Sequence, residues 1–130
     1  MFIDTSGFLC RYVKTEILHN LAVEMYDSAT ACVTSSYVLA EYTALAHIRG
    51  IPREEIINFS SRILSDEAIE IIWVDNDLHR SGIDLMAERA DKSYSLCDAV
   101  SFVIMRERSI ADALTTDKHF EQEGFLRMLK

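Results

Sequence analysis

Four acids in this 130-residue chain stand where a carboxylate has more to do than face water. Asp4 closes the first apolar run, Phe2-Ile3, and Asp117 follows another, Ala111 to Thr115, so each belongs at the carboxyl end of a short strand. Glu41 has Tyr37, Val38, Ala44 and Leu45 as helical neighbours three and four residues away. In such an apolar stripe an unpartnered carboxylate costs several kcal/mol or takes up a proton. Asp98 lies three residues after Ser95, an approximate capping box that sets a fourth carboxylate at the start of a helix. Each acid has an ordinary alternative use: N-caps for Asp4 and Asp117, a box partner for Asp98, a snorkelled side chain for Glu41. Gathered together, however, four carboxylates raise one another's pKa, and a hard divalent cation bound through oxygen resolves that conflict. Magnesium or manganese suits the donor set. His19, His47, His79 and His119 lack paired ligand spacing beside these acids, which argues against zinc; His119, two residues after Asp117, reads as a local hydrogen-bonding residue.

Positions like these must be built by elements, and the periodicity of the chain changes several times along its length. Short apolar runs predict strands at Phe2 to Asp4, Ala31 to Thr34, Ile69 to Val74, Ala111 to Thr115 and Phe125 to Leu129. Between them the spacing becomes helical. Gly7 to Val13 forms a short helix, and Leu18, Leu21, Ala22 and Met25 share one face of the next. Ser36 is the expected N-cap of a helix from Tyr37 to Arg49, which Gly50 can end before Pro52 opens another. That one carries Glu54 and Glu55 in its first turn and Ile56, Phe59 and Ile63 on one side. Asp75 or Asn76 caps a helix bearing Leu78, Leu85 and Met86, and Ser95 to Glu107 supplies another with Val100, Val103 and Ile104 inward. Strands separated by helices predict a single three-layer α/β domain over residues 1–130, with a parallel sheet of about five strands. Ligands of such sheets bind beyond the carboxyl ends of strands, near the point where strand order reverses. Asp4 and Asp117 converge there if their strands are neighbours.

The chain is 49% hydrophobic and 26% charged, with four Gly and one Pro, which excludes disordered, collagen-like and low-complexity classes. Its 21 acidic and 13 basic residues give a net charge of -8, so a nucleic-acid partner requires local basic patches or metal ions. Cys10, Cys32 and Cys97 are odd in number and lack CxxC spacing, as expected of packed thiols in a reducing compartment. No apolar run approaches the roughly 18 residues of a membrane span, and Asp4 interrupts any leader-like run, so a cytoplasmic chain with no membrane partner is expected.

Four motifs then align with a known pattern: Phe2-Ile3-Asp4-Thr5-Ser6; Val38-Leu39-Ala40-Glu41; Tyr94-Ser95-Leu96-Cys97-Asp98-Ala99-Val100-Ser101-Phe102; and Leu114-Thr115-Thr116-Asp117-Lys118-His119-Phe120 followed by Gly124-Phe125. In order and spacing, over essentially the whole chain, they resemble the PIN-domain nucleases, especially the short group that includes the toxins of VapBC-type toxin-antitoxin pairs. The resemblance implies a sheet ordered 3-2-1-4-5. It implies Asp4, Glu41, Asp98 and Asp117 as the catalytic, metal-holding acids, with Ser6 and Thr115 as supporting polar groups. It further implies Mg2+ or Mn2+ as cofactor, endonucleolytic hydrolysis of RNA phosphodiester bonds, a homodimer, and an antitoxin whose basic side chain enters the acidic site. Cys97 departs from the pattern where many relatives carry threonine.

Arg11, Lys14, Arg49, Arg106 and Lys118 are candidates for gripping an RNA backbone. Two other readings compete. A phosphoacceptor receiver domain would use Asp75 after Ile71-Ile72-Trp73-Val74, although Asp75-Asn76-Asp77 looks like helix capping and the first strand ends in a single acid. A non-catalytic PIN-like interaction module would suit eroded acids, whereas all four are present. Asp84, on a helix exterior, and Asp91 and Asp112, in connections, are left outside the site.

Overall fold

The computed structural model describes residues 1–130. Its strands are β1 (Phe2–Ile3), β2 (Cys32–Ser35), β3 (Ile69–Ile72), β4 (Asp112–Leu114) and β5 (Leu126–Arg127). They pair in parallel in the order β3-β2-β1-β4-β5. Seven helices connect them: α1 (Thr5–Tyr12), α2 (His19–Ser28), α3 (Ser36–Ile48), α4 (Arg53–Ser65), α5 (Asn76–Glu88), α6 (Leu96–Glu107) and α7 (Lys118–Gln122). Helices α1 to α4 pack on one another, as do α5, α6 and α7, and α3 also touches α6. Two helix groups around a sheet whose order reverses are what right-handed parallel crossovers require. The three-layer α/β architecture and its strand order match the expectation.

Strand β1 is short because it lies in the middle of the sheet with both residues fully buried, and Asp4 leaves it at once for α1. Phe2 and Ile3 pair with Val33 on one side and with Ala113 and Leu114 on the other. Apolar burial of this kind contributes about 1.5–3 kcal/mol per large side chain. Phe8, Tyr42 and Phe59 close one side of the core, and Tyr94, Phe102 and Phe120 the other. Glycine is needed at position 7, because a Cβ there would sit 2.0 Å from the Leu114 carbonyl oxygen. Helix α1 can therefore lie directly against β4, and Gly50, with φ of 77°, ends the α3 region in the left-handed conformation anticipated for it.

Several boundaries differ from expectation, among them the end of β3 at Ile72 rather than Val74 and the start of α1 at Thr5 rather than Gly7. The N-cap of α3 is Ser35 rather than Ser36: Ser35 is extended and its hydroxyl accepts from the Val38 amide, whereas the Ser36 hydroxyl accepts from the Val74 amide. Strands β4 and β5 are shorter than the apolar runs that announced them: the two pair only as Asp112 with Leu126 and Ala113 with Arg127, and β1 engages only Ala113 and Leu114 of β4. Helix α7, five residues long, was announced only by the N-cap alternative for Asp117, since only Phe120 of it is buried and so short a segment shows no periodicity.

Candidate functional site

The register that pairs Ile3 with Leu114 sets Asp4 beside Thr115 at the carboxyl ends of β1 and β4. This is the point where the strand order turns back. Asp4 occupies the N-cap position of α1 but makes no capping hydrogen bond with its side chain. Its Oδ2 instead accepts from the Thr115 hydroxyl at 2.9 Å and from the Ser6 hydroxyl at 3.4 Å. Ser6 and Thr115 are locked in turn: Ser6 Oγ accepts from the Thr116 amide at 2.9 Å, and Thr115 Oγ1 accepts from the Asp117 amide at 3.0 Å. The other oxygen, Oδ1, is buried without a partner. Burial pushes the Asp4 carboxyl up to about 7, against the lowering influence of the Thr5 amide and the Thr115 hydroxyl, with Asp98 and Glu41 adding to the rise.

Asp98 and Asp117 arrive on helix starts. Asp98 completes the capping box, its Oδ2 accepting from the Ser95 amide at 3.0 Å while the Asp98 amide donates to Ser95 Oγ. Asp117 caps α7, its Oδ1 accepting from the His119 amide at 2.9 Å. The ordinary alternatives for both acids are thus realised, yet each cap uses one carboxylate oxygen and leaves the second available. Burial raises the Asp98 carboxyl; the Ser95 amide opposes it, Asp117 and Glu41 push further up, and His119 pulls down.

Glu41 enters from α3, half-buried, one turn after the fully buried Val38. Its charge is felt by Asp4, Asp98 and Cys97, which places the fourth carboxylate near the others. Cys97 is buried on α6, and burial followed by the charges of Glu41, Asp4 and Asp98 drives its thiol well above the ordinary range. A thiol so placed is a neutral packing group facing Glu41, with no supply of nucleophilic thiolate.

The structure therefore brings together all four acids singled out in the sequence, with Ser6 and Thr115 behind Asp4. It also adds His119, whose Nδ1 lies 3.3 Å from both Asp98 Oδ2 and Asp117 Oδ1. The sequence carries no sign of this, because its distance to Asp98 depends on how α7 docks against α6. The expected basic grips are largely committed elsewhere. Arg11 lies over Tyr12 and Tyr26, Arg49 pairs with Glu16, and Arg106 pairs with Glu123. Lys14 and Lys118 are exposed. Asp75 caps α5 through the Leu78 amide after the edge strand β3, two strands away from β1, which removes the receiver-like arrangement. Cys10, Cys32 and Cys97 are free and buried, as expected. No helix is long and apolar enough to cross a membrane.

A hard divalent cation fits these residues. The donors are carboxylate oxygens, one of them buried and unpartnered, and the Asp4 carboxyl is held near neutrality by burial and like charge until positive charge arrives.

Comparison with known proteins agrees with this geometry. The family model described as PIN domain matches residues 1–126. The 23S rRNA-specific endonuclease VapC20 from two strains of Mycobacterium tuberculosis is 26% identical over 129 residues, spanning 98% of this chain and 97% of the relative. The crystal structure of M. tuberculosis VapC20, described as a Sarcin-Ricin loop cleaving toxin, superposes with a TM-score of 0.90 at 25% identity, covering 99% of this chain and 98% of the other.

Proposed function

The chain belongs to the PIN-domain family, and from that premise we propose that it is a divalent-metal-dependent endoribonuclease, the toxin of a toxin-antitoxin pair, acting through Asp4, Glu41, Asp98 and Asp117. The observation that carries the reading is the divided Asp4 carboxylate, with one oxygen fixed by Thr115 and Ser6 and the other buried, unpartnered and facing like charges. Asp98 and Asp117 hold their orientation through the amides at their helix starts, so three of the four carboxylates are positioned before any ligand arrives. Magnesium or manganese, when bound by these acids, would activate water for in-line attack and offset the charge that builds on the phosphate and leaving oxygen. Thr115 and Ser6 keep Asp4 Oδ2 occupied and direct Oδ1 to the cation. Glu41 closes the pocket from α3, and the neutral Cys97 thiol packs beneath it. The chain needs no nucleophile of its own.

A cytoplasmic single-domain protein, a homodimer and an antitoxin belong to the same reading. Exposed Leu64 and Trp73, which share a shallow depression with Leu39, offer apolar area for such partners. Because the relative VapC20 is named for 23S rRNA, a 23S rRNA fragment is the substrate to try first. Purified protein should cleave RNA with magnesium or manganese and stop when chelator is in excess. Cleavage that persists undiminished in chelator overturns metal dependence.

A further inference from the structure

His119 has no place among the four acids, yet the fold aims its ring at two of them. Nδ1 is buried, makes no hydrogen bond, and stands 3.3 Å from Asp98 Oδ2 and 3.3 Å from Asp117 Oδ1. One ligand atom from each of the three residues falls within 4.8 Å of the other two. The far side of the ring is held: Nε2 lies 3.1 Å from Ser93 Oγ, and Tyr94 packs edge-on at 5.2 Å between centroids. A charge-assisted N–H···O contact to a carboxylate runs at about 2.7–2.9 Å and points at its acceptor. Contacts of 3.3 Å to two oxygens at once, with neither in hydrogen-bond geometry, do not describe such a bond. They match the edge of a coordination polyhedron: metal–nitrogen and metal–oxygen bonds of about 2.0–2.1 Å give tetrahedral edges of about 3.3–3.4 Å. A second mark lies on Asp4, 4% exposed, whose Oδ1 is buried and unpartnered and whose carboxyl feels the charge of Asp98.

We propose that His119 Nδ1 is a cation ligand which, with Asp98 and Asp117, forms a mixed nitrogen-oxygen site selecting first-row transition-metal dications over magnesium. The proposal rests on the reading of Asp98 and Asp117 as metal-holding acids. Ser93 Oγ lies 3.1 Å from Nε2 and can accept from it; in that tautomer the lone pair is on Nδ1, as a metal ligand requires. The capping bonds from the Ser95 and His119 amides fall on the same two oxygens that face Nδ1 and hold them in place. Imidazole suits zinc and the later first-row dications, whereas manganese and magnesium prefer oxygen and magnesium gives up its waters reluctantly. The sequence argues against zinc from the lack of paired histidine spacing beside the acids, and reads His119 as a local hydrogen-bonding residue next to Asp117. Here α6 and α7 bring His119 to Asp98 as well.

Two measurements decide it. Nitrogen-15 NMR of the histidine rings in the wild-type chain, titrated with zinc, should move His119 Nδ1 to a metal-bound position while Nε2 keeps its proton. Calorimetric titration with zinc, manganese and magnesium should show His119→Gln weakening zinc by about tenfold or more and manganese by less, with magnesium within about twofold. If Asp98→Asn weakens zinc but the wild-type His119 resonance does not move, nitrogen ligation is overturned and the carboxylate site stands. If Asp98→Asn changes the affinity of no cation, the reading beneath it falls as well. Should His119→Gln fail to fold, the wild-type NMR titration decides alone.

Discussion

At Asp4 one oxygen is committed and the other is not, and the asymmetry governs how the metal-free chain responds to pH. Its carboxyl titrates near 7 when folded, against 3.8 when unfolded, so between those values the folded state holds a proton that the unfolded state releases. Metal-free stability should therefore fall as pH rises from about 4 to about 7, then level off. Asp4→Asn should remove that slope, stabilise the metal-free chain at pH 8 by on the order of 2 kcal/mol, and abolish cleavage. Urea unfolding of both proteins at pH 5 and pH 8 in chelator checks the sign, and a wild-type chain more stable at the higher pH contradicts it. Glu41→Gln tests the fourth carboxylate by a different contrast. Without metal the variant should melt at an equal or higher temperature; with saturating magnesium its metal-induced rise should be smaller than that of wild type. Identical rises in the two proteins would take Glu41 out of the site.

Short helices place most of these side chains, and the shortest needs an external clamp. Glu123, at the end of α7, has a side chain only 3% exposed, held by Arg89 at 2.8 Å, by Tyr94 at 3.1 Å and by Arg106. Burial raises its carboxyl, but the bonds from Arg106, Arg89 and Tyr94 outweigh that and leave it below the ordinary value of 4.5. Its stabilising contribution is present above that value and lost as pH falls further. Glu123→Gln should cost about 1–3 kcal/mol, read from urea midpoints at pH 7, because the paired arginines lose their charge partner. A midpoint within error of wild type would mean that α7 does not depend on the clamp. The sequence exposed as much of this as local patterns can carry. The order of strands and helices, the Ser95–Asp98 box and the Asp75 cap were legible because their signals are local. The Glu41 pocket was legible as an acid on an apolar helical stripe. The clamp and the His119 contacts were not, since each joins side chains from separate elements, Arg89 to Glu123 and His119 to Asp98. No periodicity encodes such pairs.

Across the whole molecule, a net charge of -8 opposes a polyanionic substrate, and three of the five basic residues proposed as grips are spent on internal partners. Binding of RNA should therefore depend on the divalent cation itself, with few phosphates neutralised by side chains. In chelator, fluorescence anisotropy should detect no RNA binding at micromolar protein. With metal and an RNA carrying cleavage-resistant linkages, binding should appear and weaken only gently with added potassium chloride. Strong binding in chelator would instead reveal a basic surface on this chain. The same close-packed scaffold has a consequence for heredity. Gly7 touches no ligand, yet any side chain there would be driven into the Leu114 carbonyl, displacing α1 from β4 and separating Asp4 from Thr115. A genetic screen for inactive alleles should recover position 7 alongside the acids. Because the obstacle is a backbone atom, which no change of residue at position 114 removes, those alleles should yield no suppressors at that position, and lineages will guard a packing contact as strictly as a catalytic group.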